Sequence, residues 1–253
     1  LDTLNRVNAI VCPSRFLMNI YARMGINPRL MRFVRQGRDF PGLTHEMTQK
    51  TPSPVLRIGY IGQIAKLKGV HVLIEAVRKL PGAKVQVDIY GDLHAFPRYS
   101  AMLEEMSAGD PRIRLLGTYE RLSLALQELD VVVVPSLWYE NSPNSILEAF
   151  AHRTPVITSN LGGMAELVQD GQNGMLFTPG DSDDLARHIQ CLLDDPATLE
   201  ALRSGIQPIK CMSEEMDELE MLYNQVTNTY PLSKPAGEMV VIEQTGMSGE
   251  KPG

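Results

Sequence analysis

The sequence predicts an α/β fold, a parallel sheet with helices on both faces. Three observations carry that expectation. From Val55 onward, short apolar and β-branched runs alternate with amphipathic helical stretches, the rhythm of successive βαβ units. The run Val131 to Val134 is apolar at every position, so a strand there has both faces covered, as in a parallel sheet. The residues with candidate chemistry fall just after strands, at the carboxyl edge where open α/β sheets bind ligands.

In chain order, Ala9 to Val11 reads as a short strand and Arg15 to about Met24 as a helix capped by Ser14. Gly25 ends that helix, and Met31 to Val34 gives a second strand. With nothing before it, the first strand must borrow an edge or stay poorly ordered. Asp39 to Pro54 carries Pro41-Gly42, Thr51-Pro52 and Ser53-Pro54 and reads as a linker. Strands then follow at Leu56–Ile61, Val85–Tyr90, Ile113–Leu116, Val131–Val134 and Val156–Thr158. Helices are expected over Gly69–Leu80, Arg98–Met106, Glu120–Glu128, Met164–Val168 and Asp183–Leu193. A further helix starts behind Ser142 as N-cap and Pro143 at its first position, with Ile146, Leu147 and Phe150 inward. Glu214 to Val226 reads as a C-terminal helix, and the Pro- and Gly-containing tail after it as extended or flexible. The expected layout is therefore residues 1–38, a linker over 39–54, a ligand-binding domain over 55–207, a helix over 208–228 and a tail over 229–253.

Composition narrows the function. The chain has 253 residues, 43% hydrophobic and 21% charged, ordinary values for a globular protein. A formal charge of −6 with no basic cluster argues against nucleic acid as a partner. Cys12, Cys191 and Cys211 form no CxxC pair, which points to a reducing, cytoplasmic setting and offers no zinc site. No run approaches the ~20 apolar residues that span a bilayer. The start at Leu1, without a methionine, reads as mid-sequence.

Two stretches carry the chemistry. Behind Val134, Glu140 and Glu148 flank a helix start whose first amides, those of Asn144, Ser145 and Ile146, lack partners one turn back. Such a start suits an anion. Carboxylates repel phosphate, so beside a nucleotide the two glutamates must face hydroxyls, which donate well to an ionised acceptor. The plainer account of each is a solvated surface charge. The second stretch, Gly59 to Gly69, joins the first long strand to its helix. Its glycines let backbone approach a ligand, and Lys68 stands at the helix mouth with Lys66 as competitor.

These residues resemble the donor-binding, C-terminal lobe of family 4 (group 1) glycosyltransferases of the GT-B fold. The resemblance rests on Glu140 and Glu148, on Glu148-Ala149-Phe150-Ala151, and on Pro155-Val156-Ile157. Gly162-Gly163-Met164-Ala165-Glu166 and Asp170-Gly171-Gln172-Asn173-Gly174 extend it. It runs from about Asn8 to about Leu193, and the Gly62-x5-Lys68-Gly69 spacing belongs to it. It implies a Rossmann-like sheet forming one half of a GT-B enzyme, with residues 1–38 a remnant of an otherwise absent acceptor lobe. It further implies a retaining, metal-independent transfer of a sugar from a nucleotide-sugar donor to an acceptor hydroxyl, with no cofactor. Lys68 would grip the diphosphate, Glu140 orient the sugar and Glu148 hold the ribose. Gly62, Gln63, Ser142, Asn144, Ser145 and Ile146 would line the phosphates, and Thr118 the base. The acceptor, a glycan, lipid or small molecule, would belong to the missing lobe. That leaves room for peripheral membrane association of the full-length protein, while the fragment would bind nucleotide and turn over little.

Some positions depart from the family pattern. Gln63 stands where many members carry Arg, so one hydrogen bond replaces a charged fork unless Arg57 or Arg98 compensates. Asn141-Ser142-Pro143-Asn144 replaces a Gly-Phe-Gly run. His94 lies on the rim but reads more simply as an exposed histidine, Trp138 as a packing residue, and Glu166 as a cap for its own loop. A non-catalytic nucleotide-sugar-binding module and a sugar-nucleotide epimerase remain as alternatives.

Overall fold

A computed structural model describes residues 1–44, 48–119 and 121–229. Glu120, part of the expected linker and the expected tail beyond Thr229 lie outside the described residues. The elements run β1 (Ile10–Cys12), α1 (Arg15–Arg23), β2 (Met31–Phe33), β3 (Leu56–Ile61), α2 (Val70–Arg78) and β4 (Val85–Tyr90). Next come α3 (Pro97–Ser107), β5 (Ile113–Gly117), α4 (Leu122–Gln127), β6 (Val131–Val134), α5 (Asn144–Ala151) and β7 (Val156–Ser159). The chain continues through α6 (Met164–Leu167), β8 (Gly174–Phe177), α7 (Ser182–Asp194), α8 (Pro196–Ser204) and α9 (Met212–Thr229).

Six strands form one parallel sheet in the order β5-β4-β3-β6-β7-β8. The chain works outward from β3 to β5, then returns to lay β6 on the other side of β3, with Ile58 beside Val131. That reversal makes the β3/β6 boundary the topological switch point, where the loops leaving two neighbouring strands diverge and open a crevice.

Each face has its own core. Val131 and Val133 join Ile58, Tyr60, Leu73, Val77, Leu185 and Ile189 under α2 and α7. Val132 and Val134 point the other way, to Leu126, Ile146, Phe150 and Met164 under α4, α5 and α6. All four valines of β6 are buried, as expected for a strand apolar at both parities.

β1 finds its partner in β2, a parallel pair with Ile10 beside Met31, over a small cluster of Cys12, Ile26 and Met31. Ser14 caps α1 by accepting from the Leu17 amide at 3.1 Å. Sequence reading missed two elements. β8 is too short for periodicity, with Met175, Leu176 and Phe177 its whole apolar run. α8 carried a readable signal, Asp195 as N-cap accepting from Ala197 N at 3.1 Å with Pro196 in the first turn. The start of α5 also needs correction. Pro143 is extended (φ −67°, ψ 122°) and takes the N-cap position itself, so Ser142 caps nothing and its Oγ is buried without a hydrogen-bond partner.

Candidate functional site

The carboxyl ends of β3, β4 and β5 form a flush lip held by backbone. Gly62 N donates to Tyr90 O at 3.1 Å, and Gly91 N to Gly117 O at 2.8 Å. A Cβ on Gly91 would sit 2.2 Å from Gly62 O, so a glycine is what lets the strands lie this close. The buried Tyr60 hydroxyl donates to Gln63 O at 2.7 Å and fixes the turn, while the Gln63 side chain is exposed. A single helical turn over Lys66–Lys68 then leads to Gly69, left-handed at φ 71°. Its missing side chain leaves space for Pro135 O, which a Cβ would approach to 1.9 Å. The Leu67 carbonyl accepts from Leu137 N at 2.8 Å and Ser136 Oγ at 3.2 Å. The loop after β3 is thus strapped onto the loop after β6.

That strapping brings two candidate residues together. Lys68 Nζ lies 2.5 Å from Glu140 Oε1, and Ser136 Oγ lies 3.2 Å from the same oxygen. Lys66, the competitor, is exposed. The Glu140 backbone is clamped in turn, its carbonyl accepting from Gly163 N at 2.7 Å. A Cβ on Gly163 would lie 1.8 Å from Asn141 O. Three loops, after β3, β6 and β7, therefore converge on Glu140.

Glu148 lives differently. It sits one turn into α5 and is 9% exposed. Its Oε1 accepts from Arg38 at 3.1 Å. Burial pushes its carboxyl above the usual carboxylate range, and the Arg38 charge opposes that rise. The Tyr119 hydroxyl, raised first by burial and then by the Glu148 charge, marks that loop as a near neighbour. Tyr119 lies edge-on to Tyr90 at 6.4 Å, and both line a shallow depression of about 270 Å³ with Arg121 and Leu124. Lys68 precedes a helix on one face of the sheet and Glu148 lies on a helix of the other. Both stand over the carboxyl ends of adjacent strands, and their partners differ.

The remaining expectations divide. Thr118 is exposed on the lip, Asn144 is exposed and Ser145 half-buried at the start of α5. The Ile146 amide does not stay free, because it donates to Pro143 O at 3.2 Å, leaving Asn144 and Ser145 as the first-turn donors. Arg57 cannot compensate for Gln63. It sits at the amino end of β3, where Asp130 takes it in two bonds of 2.7 and 3.0 Å. Trp138 is 58% exposed rather than packed. His94 is exposed in a turn, its amide donating to Asp92 Oδ1 at 2.8 Å. Glu166 caps another element, accepting from the amides of Arg15, at 2.9 Å, and Phe16 at the start of α1. Ser14 donates to Asn141 Oδ1 beside it, and Phe16 stacks on Tyr139 at 5.1 Å. The residue that sequence reading missed is Arg38, 110 positions from Glu148, where no local pattern links them.

A cleft of about 400 Å³ between Lys50, Leu56, Asp130 and Arg203 opens at the amino ends of β3 and β6. It is at the wrong edge for a switch-point ligand. Among the described residues no helix is long and apolar enough to cross a membrane.

Comparison with known proteins fits this geometry. The chain is 29% identical over 175 residues to alpha-D-kanosaminyltransferase of Streptomyces kanamyceticus, covering 66% of this chain and 45% of that protein. It is 31% identical over 145 residues to the lipopolysaccharide core biosynthesis glycosyltransferase LpsE of Rhizobium meliloti, 57% of this chain and 42% of that one. It thus spans less than half the length of either relative. Anabaena Alr3699/HepE, solved in complex with UDP and glucose, shares the fold at a TM-score of 0.76 and 23% identity, over 88% of this chain and 65% of that one. A glycosyltransferase from Rickettsia africae does so at 0.77 and 21%, over 89% and 66%. The family described as glycosyl transferases group 1 matches residues 56–195, the stretch from β3 through α7 that builds the sheet and both halves of its rim. By that match the chain belongs to the group 1 glycosyltransferases.

Proposed function

We propose that the chain is the donor-binding lobe of a retaining, metal-independent glycosyltransferase that takes a nucleoside diphosphate sugar. The observation that carries this reading is the Lys68–Glu140 pair, held at 2.5 Å over the switch-point crevice by three loops. A cation beside a carboxylate is what a diphosphate joined to a sugar requires, one group for the charge and one for the hydroxyls. In the transfer, the bond between the sugar's anomeric carbon and the diphosphate oxygen breaks, and its electron pair leaves with the diphosphate. Lys68 and the amides of Asn144 and Ser145 offset that charge, a preorganised electrostatic role. The acceptor hydroxyl oxygen forms the new bond and loses its proton to the departing phosphate or to solvent. Glu140 orients the sugar and Glu148 accepts from the ribose diol. With Gln63 uncharged and Arg57 engaged elsewhere, Lys68 is the main side-chain cation we assign to the leaving group. Residues 1–38 we read as the end of an acceptor lobe, so this stretch of chain binds donor and turns over little.

The relatives support a nucleotide-sugar donor, since Alr3699/HepE has also been solved with UDP-glucose. Calorimetric titration with UDP-, GDP-, ADP- and TDP-sugars tests the reading. One of them is expected to bind, with binding strongly weakened in Glu148→Ala and in Lys68→Ala. Absence of binding by all four, or binding indifferent to both substitutions, overturns it.

A further inference from the structure

Glu148 can accept two ribose hydroxyls only while it is ionised, and burial works against that. Every charged or titratable group found facing it bears on the question. Tyr119 approaches from the loop after β5 as a neutral phenol. His152, one turn along α5, uses Nδ1 on the Glu148 backbone carbonyl at 2.8 Å, and burial pushes its imidazole below the usual histidine range. Arg38 is the cation, and its place is fixed from outside the motif. Arg38 N donates to Lys210 O at 2.9 Å, Gly37 N to Glu215 Oε2 at 2.8 Å, and Met212 N to Asp39 Oδ1 at 2.9 Å. A Cβ on Gly37 would fall 2.2 Å from Cys211 O, so the segment lies flat on the start of α9. Phe40 extends the strap, with Arg38 5.9 Å over its ring and the ring edge-on to His152 at 6.1 Å.

Resting on the reading of Glu148 as the ribose acceptor, we propose that Arg38 is a positioning residue for the donor. From the segment sewn to α9, it keeps the Glu148 carboxylate charged and turned toward the ribose hydroxyls. Arg38 occupies one carboxylate oxygen, Oε1, and leaves the other to a hydroxyl. Donor affinity at mildly acidic pH then depends on a residue outside the two-glutamate motif. The sign follows from the burial of Glu148. Removing the guanidinium lets its carboxyl rise further, so protonation, and loss of the acceptor, sets in at higher pH.

The test is titration of UDP-glucose, or of whichever of the four NDP-sugars binds in the screen above, between about pH 8 and about pH 5.5. An NDP-sugar is chosen because its diphosphate diester does not titrate in that range. Arg38→Gln is expected to bind within about threefold of wild type at the alkaline end and to lose up to about fivefold more than wild type at the acid end, the loss that a neutral side chain at 148 carries. Arg38→Lys, which keeps a charge, should recover part of the acid-end affinity. In Glu148→Gln the pH dependence should vanish, and adding Arg38→Gln should change nothing further. Thermal melts at each pH identify any variant that fails to fold, in which case Arg38→Lys carries the comparison. Parallel pH profiles for wild type and Arg38→Gln would reduce Arg38 to a structural strap and overturn the proposal. Tighter binding by Arg38→Gln would make it a competitor of the ribose and overturn it equally. Wild-type protein that binds none of the four sugars at any pH sinks the donor reading itself, an outcome distinct from both.

Discussion

The two glutamates of the rim stand eight positions apart in sequence and in unlike settings. Glu140 lies on a loop, its side chain 18% exposed, and takes its cation from the neighbouring βα loop. Glu148 lies within a helix, its side chain 11% exposed, and takes its cation from a segment 110 positions away. The first half is assembled by short loops locked together at Gly69 and Gly163. The second half depends on a strap, 37–39, that reaches Glu148 only because α9 holds it. A rim built in this way has one self-sufficient end, to which we assign the diphosphate and sugar, and one end that answers to the rest of the chain.

Substituting Gly163 is the harshest way to break that comparison. In Gly163→Ala the new methyl would lie 1.8 Å from Asn141 O, and backbone is the atom that must yield. Overpacking of this kind costs about 1–3 kcal/mol, and here the displacement falls on the residue next to Glu140. NDP-sugar affinity by calorimetry should drop by roughly tenfold to over a hundredfold, with the Arg38–Glu148 half left standing. Equal loss of plain nucleoside binding would mean that the halves move together.

Lys68→Met separates the halves by ligand chemistry. Losing one charge-assisted contact costs about 1.5–3 kcal/mol, roughly tenfold to over a hundredfold. That loss should appear with a nucleoside diphosphate and be absent with the nucleoside alone, which carries no phosphate for Lys68 to meet. Glu148→Gln should do the reverse at smaller size. The amide still accepts one hydrogen bond, so the loss is about 1 kcal/mol, roughly fivefold, and is the same for nucleoside and nucleoside diphosphate. Ribose-independent loss, seen with a 2′,3′-dideoxy nucleotide, would remove Glu148 from the ribose.

The same division explains what could be read from the sequence. The sheet was legible because Val131 to Val134 and its neighbours are apolar in a pattern that only burial on both faces rewards. Lys68 and Glu140 were legible because each lies a few residues past a strand end, and adjacent strands bring such positions together. Arg38 was not, since its meeting with Glu148 is set by how 37–39 lies on α9, and no local periodicity encodes that contact. Ser142 misled for a local reason. A serine before a proline has the composition of a cap, but the extended ψ of Pro143 moved the helix start one residue on. Glu166 was misjudged because the amides it accepts belong to α1, 151 positions away.

That last contact supplies the smallest expected effect and the sharpest limit on the self-sufficient half. Ser14 both caps α1 and donates to Asn141, the residue after Glu140. If the Glu140 end is held by Gly163 and by the Leu67 strap, Ser14→Ala should destabilise the protein without reaching the ligand. A lost cap costs about 1 kcal/mol, and in a chain of this size that lowers Tm by roughly 2–4 °C. NDP-sugar affinity at a temperature well below the transition should change by less than about threefold, because Asn141 keeps its backbone against Gly163 and Glu140 keeps Lys68 and Ser136. A loss approaching that of Lys68→Met would show that α1 sets the position of Glu140. In that case both ends of the rim are governed from outside the sheet, and the contrast between them lies in burial alone.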